Sequence, residues 1–485
     1  MPPSDPRWQQ IDQALPSDDH ARIVRRQLEQ FDRKIVDQMY LGVGKDAFDP
    51  MPLLAMVLYQ YLKGRRSPAT WEEEARLNEA MQWLGYGYAP ARRTWYEFRD
   101  RVGEIIELLH VNLVQQAIAQ EHLDPSTGVQ DGTSIAACAS RHRMVNQQTL
   151  RKRQQLLNDV IEGVFPESEG LPKWVPPTHT GRLDLALRMQ TAAEVLTGRI
   201  RENAVKPSGK RKHPDKIQVS LTDPIAPLGR DKRKTYRPLY TIQTMVDPVS
   251  WLTISYCCDA AANDNGTLAP MIDKTQQIVG GRLKRVLADG SYCSILDLTD
   301  AKDRGIELIS PPSASGSCRK CKSRNGEVQI PREEFLFDAE LNRYRCPQGN
   351  LLVHRSREKK SRVGGRYLYQ SSYQCDAATC GSCPLAERCL SGNGPRMIKR
   401  TEGEELLEAQ REKMSTEEAK AAYRLRSQTV ELGFGDAKGN RRVDRFHGRG
   451  LKRARAETGL LILAQNLLRL DKLQRQAVNS IKQVA

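Results

Sequence analysis

The sequence predicts a mixed α/β protein: an all-helical N-terminal region, a mixed sheet core, and a Cys-rich insertion just before the last core helices. Three observations predict it. Residues from about 20 to 120 keep helical apolar spacing and contain no β-rich run. The segments "IQVSLTD", "PLYTIQTMVD" and "WLTISYCCDA" are rich in β-branched and aromatic residues at short spacing, the pattern of an antiparallel meander. From about 311 to 400 helical periodicity lapses in a stretch rich in Gly, Ser, Cys and Arg, and it returns at "STEEAKAAYRLR".

In chain order, "PMPLLAMVLYQYLKG" is apolar along a broad helical face, and "TWEE" at Thr70–Glu73 is read as a capping-box helix start. "TWYE" at Thr94–Glu97 is read as a second one, opening a helix toward Gln120. Between them "GYGYAPARR" is a turn-rich connection carrying Arg92 and Arg93. Short helices around a tight turn fit a helix-turn-helix-like DNA module, and equally a small bundle used for dimerisation. "GVQDGTSIAACAS" starts with a short strand ending near Asp131. Charged helices follow over about 147–165 and 182–203, then the basic stretch "VKPSGKRKHPDK", whose plain reading is a solvated charge run on a loop. After the meander come a helix over about 266–279, a strand in "LKRVLADGSY" ending at Asp289, a helix, and the strand "IELIS". Ser415 and Glu418 form a third expected capping box, and "TGLLILAQNLLRL" is a strongly apolar helix suited to packing on a sheet. The implied domains are 1–120, helical and serving DNA binding or dimerisation; 121–310, the first part of the core; 311–400, the insertion; and 401–485, the last core helices.

The chain has 485 residues and a formal net charge of +16, so a polyanion is the first partner to consider. A membrane is disfavoured: no run of about 18 apolar residues exists, and "MPPSDPRWQQIDQ" lacks the apolar region of a signal peptide. Nucleic acid in the cytosol is the expectation, with the 11 cysteines as reduced thiols or metal ligands.

From Arg424 to Arg455 ten basic residues stand against three acidic ones, and Glu431 sits there among Val430, Leu432 and Phe434. Asp131 and Asp289 each close a predicted strand and precede a glycine. With a third acid from a helix they would form a cluster able to hold two divalent cations about 3.5–4 Å apart for phosphodiester chemistry. Mg²⁺ suits such a site because it takes few protein carboxylates and leaves room for phosphate and water. A metal-binding glutamate beside passing DNA needs basic neighbours. Lys438 lies seven residues after Glu431 and Arg424 seven before, on the same expected helix face. Arg441, Arg442 and Arg445 extend the basic field. Taken singly, Asp-Gly reads as a turn and Glu431 as an ion-pair partner. Asp264 in "AANDNGT" reads as an N-cap.

Cys380-x2-Cys383-x5-Cys389, with Cys346 in "RYRCPQGN", gives four thiols suited to a structural Zn²⁺ in an insertion with little apolar core of its own. Redox-inert free thiols are the alternative. Cys375 competes as a ligand, and Cys318-x2-Cys321 could be half of a second site. Cys138, Cys257, Cys258 and Cys293 read as small core hydrophobes, and His142 and His447 as satisfied surface or capping residues.

Three stretches carry a family resemblance. "PLLAMVLYQYLKGRRSPATWEEEARLNEAMQWLGYG…TWYEFRDRV" resembles the N-terminal module of bacterial insertion-sequence DDE transposases with an InsH-like helical domain. "DGTSIAACAS" and "VLADGSYCS" resemble their two aspartate motifs. "YRLRSQTVELGFGDAKGNRRVDRFHGRGLKRARAETGLLILAQNLLRL" resembles their glutamate motif with its Tyr–Arg–Glu–Lys signature. The resemblance implies a ribonuclease H-like core with Asp131, Asp289 and Glu431 as the triad, and two Mg²⁺ or Mn²⁺ per site. It implies Tyr423, Arg426 and Lys438 on phosphates. Four residues separate Arg426 from Glu431, where the family usually has three. Cysteines of this kind often occur in that family's insertion. The implied activity is cleavage at element ends and 3′-OH strand transfer into target DNA. Its substrates are the terminal inverted repeats and target DNA, bound as a homodimer in the bacterial cytoplasm on the nucleoid. A catalytically silent DNA-binding relative and a ribonuclease H-like nuclease without strand transfer are the alternatives.

Overall fold

Apolar spacing sets the architecture seen in the computed structural model. It describes residues 2–40, 47–166, 170–206, 208–231, 234–312, 322–363 and 366–484, without side chains for 210, 360–363, 430–432 and 481–484. The N-terminal region is helical: α1 (Pro6–Ala14), α2 (His20–Leu28), α3 (Arg33–Asp37), α4 (Pro50–Leu62), α5 (Pro68–Leu77), α6 (Glu79–Leu84) and α7 (Arg92–Ala119). β1 (Thr127–Ala136) and β2 (Met144–Val145) lead into the hairpin α8 (Gln147–Ile161) and α9 (His179–Ala204). Next come β3 (Val219–Ser220), β4 (Leu228–Arg230), β5 (Tyr236–Val246), β6 (Thr253–Asp259), α10 (Leu268–Val279), β7 (Arg285–Leu287), α11 (Ile295–Asp303) and β8 (Glu307–Ile309). The expected insertion holds β9 (Leu336–Asp338), β10 (Arg343–Arg345), β11 (Leu351–Val363), β12 (Arg366–Gln374), α12 (Ala377–Gly381), α13 (Ala386–Cys389) and β13 (Met397–Thr401). The chain closes with α14 (Glu404–Ser415), α15 (Glu417–Gly435) and α16 (Leu451–Val484). This is the mixed α/β fold with a helical N-terminal region that the sequence implies, consistent with a ribonuclease H-like core.

The chain divides into two compact units: Met1–Asp264 with Asp273–Leu283 and Ser427–Ala485, and Asn265–Ile272 with Lys284–Arg426. In the first, β1 pairs antiparallel with β5, placing Asp131 opposite Thr244, and β5 pairs antiparallel with β6 and β4. The apolar stretch of α16, Leu460 to Leu470, is buried against α7, α4 and β6. Glycine permits that close approach: a Cβ on Gly103 would lie 2.7 Å from the Cβ of Ala456, and one on Gly459 equally close to Ile106. The α8–α9 hairpin has its own core, including Leu157, Met189 and Leu196.

In the second unit β7 and β8 run parallel. The insertion forms a five-stranded antiparallel sheet in the order β13-β12-β11-β10-β9. Its core of Ile330, Phe335, Tyr344, Leu352, Tyr373 and Ile398 corrects the expectation of an irregular segment with little apolar packing. The buried apolar positions along these strands are few and scattered, Leu352 in β11 and Tyr373 in β12, which helical periodicity does not register.

Three helix starts differ from expectation. α5 begins at Pro68, whose fixed φ suits the first helical position, and so takes in Thr70. α7 begins at Arg92 behind Ala91. At α15 the cap is Thr416, whose hydroxyl accepts from Ala419 N at 3.2 Å, and not Ser415. α10 starts four residues beyond Asp264, which instead accepts a 2.6 Å hydrogen bond from Gln243, so the N-cap reading of Asp264 does not hold. No helix among the described residues is long and apolar enough to cross a membrane.

Candidate active site and nucleic-acid interface

β1 carries Asp131 in its middle and not at its end, because Thr133, Ser134 and Ile135 continue the extended run. The Asp-Gly pair is therefore strand and not turn. Asp131 is half-buried, and Thr133 shares its face by the two-residue period. Lys438 reaches that face. Its ammonium donates to Thr133 Oγ1 at 2.5 Å and to the Ser134 carbonyl at 3.3 Å. Sequence spacing alone puts Lys438 two α-helical turns beyond Glu431. In the structure α15 ends at Gly435 and Lys438 lies in a π-helical turn, Asp436–Asn440, closed by Arg441 N donating to Asp436 O at 3.0 Å. The extra residue per turn swings Lys438 off the α-helical register and toward β1. A cavity of about 280 Å³ opens here, lined among others by Thr133, Ile135, Phe434, Lys438 and Trp251.

The basic segment after this turn is fixed from inside. Arg441 is buried, donating to Asp436 at 2.6 Å and to the Leu62 carbonyl at 2.5 Å. Arg66 and Glu457, both buried, form an ion pair at 3.2 Å. Arg66 also donates to the carbonyls of Arg442 and Arg445, at 3.3 and 3.0 Å. Glu457 accepts from the backbone N–H of His447 and Gly448. Burial pushes the Glu457 carboxyl up, against those N–H donors and Arg66, which favour its charge. Arg442 and Arg445 stay exposed as a result, Arg442 in the left-handed region at φ 53°. Nothing local in the sequence marks Arg66 or Glu457 as this anchor, since they are 391 positions apart.

The second unit holds Asp289. It follows β7 and caps a 3₁₀ turn, Gly290–Tyr292, accepting from Ser291 N at 2.8 Å and Ser291 Oγ at 2.5 Å. Arg426, largely buried, brings a guanidinium nitrogen to 3.7 Å from its carboxylate. Tyr423 is half-buried one turn earlier on α15. Glu431 belongs to α15, and its side chain lies outside the described residues. Arg92 and Arg93 stand exposed in the first turn of α7, paired to Glu72 and Glu97 at 2.9 and 2.8 Å.

In the insertion Cys346, Cys375, Cys380, Cys383 and Cys389 line one cavity of about 20 Å³. Cys383 N donates to Cys380 O at 3.4 Å, and Gly349 N to Cys346 O at 2.8 Å, so turns hold these thiols. Burial pushes Cys375 to about 12, with Cys380 adding to it, and Cys389 to about 11. Among the described residues no group of three or more His, Cys, Asp or Glu is arranged to hold a metal. Cys318 and Cys321 lie outside the described residues. Cys258 and Cys293 are buried as expected, and Cys257 is half-buried. Cys138 departs from expectation, lining a polar cleft beyond β1.

Asp131 on β1 thus lies beside a basic helical segment, an arrangement with the charge to meet a phosphate backbone. The matches with known families agree. Residues 345–471 match the family described as Transposase DDE domain, and residues 9–101 match Transposase domain (DUF772). These two matches support an insertion-sequence DDE transposase, a family whose members act on DNA and generally use divalent metals such as Mg²⁺. Glu431 and the insertion's five thiols fall within the first match; Asp131 and Asp289 lie outside both. Neither a curated protein nor a solved structure matches the chain.

Proposed function

We propose that this chain cleaves DNA at the ends of its element and joins the freed 3′-OH to target DNA, with Asp131, Asp289 and Glu431 as its acidic triad. One observation carries the reading: Lys438, from the segment that matches a DDE domain, is seated on the strand and face that hold Asp131. The carboxylates are hard oxygen donors suited to Mg²⁺ or Mn²⁺, two per site. Bound there, the metals would supply Lewis-acid activation of the attacking oxygen and charge stabilisation of the leaving one. The chain's own residues grip and orient. Tyr423, Arg426 and Lys438 take phosphates near the cleaved bond, Arg442 and Arg445 take phosphates farther along the duplex, and Arg441 holds their segment in place. A water oxygen attacks the phosphorus and the bond to the 3′ oxygen breaks, leaving a 5′-phosphate and a 3′-OH that carries the water's proton. That 3′-OH then attacks a target phosphorus in a second in-line displacement, breaking the phosphorus's bond to its own 3′ oxygen, which leaves with the proton as a target 3′-OH.

The helical region over 1–120 is the domain that binds terminal inverted repeats, with Arg92 and Arg93 exchanging their glutamates for phosphates. Residues 121–310 and 401–485 are the catalytic core, and 311–400 the insertion. The protein works as a homodimer on DNA in the bacterial cytoplasm, on the nucleoid. Cys346, Cys380, Cys383 and Cys389 hold a structural Zn²⁺, supported by their shared cavity and their soft donor chemistry. Glu431→Gln tests the enzyme. DNA binding persists, because the basic residues supply the counterion-release term, while end cleavage in Mg²⁺ falls to background. Lys438→Ala lowers the salt slope of binding by about one. A Gln variant that cuts as well as wild type sinks the triad.

A further inference from the structure

Beyond the end of β1 the fold builds a second cationic feature. The segment Asp444–Phe446 runs beside the strand's last residue: Ala136 N donates to Asp444 O at 3.1 Å, and Phe446 N donates to Ala136 O at 2.9 Å. Arg445 then donates to the Ala139 carbonyl at 3.1 Å. Asp223 ties the far end of this segment down, accepting from Gly450 N at 3.0 Å and from the Tyr240 hydroxyl at 2.7 Å. Between the strand's continuation and this segment lies an open cleft of about 480 Å³, lined by Arg141, Arg143, Arg237, Arg445 and Arg449 with Cys138, Ser140, His142 and Thr222. None of its lining residues is acidic.

That lack of counter-charge sets the cleft apart. Arg22, Arg26, Arg332 and Arg400 elsewhere pair with carboxylates at 2.5–2.9 Å. In the cleft only Arg237 does so, with Asp231 at 2.9 Å. Among the described residues no carboxylate pairs with Arg141, Arg143, Arg445 or Arg449. Four exposed guanidiniums from two segments are held around one concavity, where their mutual repulsion favours an anion between them. The cleft is open and has room for more than one phosphate group, as a backbone requires.

We propose that this cleft grips the sugar–phosphate backbone of double-stranded DNA away from the reacting bond, resting on the reading of the chain as a DNA-cutting transposase. Ala136 is five residues along β1 from Asp131, about 17 Å at strand rise, which corresponds to about five base pairs of duplex. The cleft therefore supplies register and grip, and none of its groups is catalytic.

The test measures affinity of the full chain for a labelled duplex of arbitrary sequence over a salt series. Arg143→Gln/Arg449→Gln should reduce the slope of log K against log salt by about two and weaken binding at least tenfold. Arg141→Gln/Arg143→Gln, confined to one wall, should do the same if the first pair disturbs folding. Arg201→Gln/Lys206→Gln, on the charge run at the end of α9, should change the slope by less than half as much. Equal losses in cleft and control variants would overturn the site. So would binding of inorganic phosphate that the cleft variants abolish while duplex binding stays unchanged, or a loss confined to single-stranded RNA. These assays read binding alone. A chain that binds duplex through the cleft yet never cuts would sink the proposed function and leave the cleft standing; a chain that cuts with the cleft neutralised and its slope unchanged would do the reverse.

Discussion

Arg66 and Glu457 tie together residues that lie 391 positions apart. Their ion pair is buried on both sides and serves as the acceptor and donor for the backbone of residues 442–448. Glu457→Ala would leave the Arg66 guanidinium buried without its counter-charge and two backbone N–H groups without an acceptor. The expected cost is about 3–5 kcal/mol, read by denaturant unfolding. Glu457→Gln keeps an acceptor for the N–H groups and should cost clearly less. Equal losses would show that charge, and not the hydrogen bonds, holds the loop. The same residues explain what a sequence reader can and cannot see here. Asp131 stands out in the sequence by its Asp-Gly motif and Lys438 by its basic surroundings. The anchors that aim Arg442 and Arg445 outward do not, because a long-range ion pair leaves no local pattern.

At the scale of elements, α7 is fixed to β6 through His110, which is buried and hydrogen-bonded through Nε2 to the Thr253 carbonyl at 2.9 Å, with its ring edge on Tyr256. Burial pushes its pKa down from 6.5 to about 4. Between those values the unfolded chain binds a proton that the folded chain does not. His110 therefore contributes its full stability above pH 6.5 and loses it as pH falls toward 4, by up to about 3 kcal/mol. Unfolding free energies measured across that window should fall less steeply in His110→Gln than in wild type; parallel curves would show that His110 is not the group responsible. Elements were largely legible in the sequence: the β5–β6 pair of the meander, the α8–α9 hairpin and the apolar α16 stand where periodicity puts them, while "IQVSLTD" gives only β3, which leaves the meander to pair with β2. Their ends were not. Thr70, Thr94 and Ser415 have the right residue type for caps, but Pro68 and Thr416 begin α5 and α15, and a capping box closed on both sides stands elsewhere, at Ser294 with Asp297. The π turn before Arg441 was equally hidden, since a single extra backbone residue per turn changes no side-chain pattern.

Over the whole molecule the insertion is the clearest case of packing that composition conceals. Its sheet has a small aromatic core, in which Tyr344 stacks edge-on with Tyr373 and Arg400 lies over Phe337. Beside that core stand five thiols, and burial pushes Cys389 to about 11 and Cys375 to about 12, so those two remain protonated at neutral pH. Zn²⁺ binding would have to displace those protons, and its free energy would then add to the folding of this sheet and of nothing in the first unit. Protein prepared without chelator should carry about one equivalent of zinc. Chelation should accelerate hydrogen exchange in β9 to β13 while α4, α7 and α16 keep their protection. Cys380→Ser/Cys383→Ser should reproduce that pattern with no chelator present. The alternative has an equally definite signature: if the thiols serve only as small apolar groups, zinc is absent, chelator changes nothing, and the serine pair weakens the sheet only by the burial of two hydroxyls.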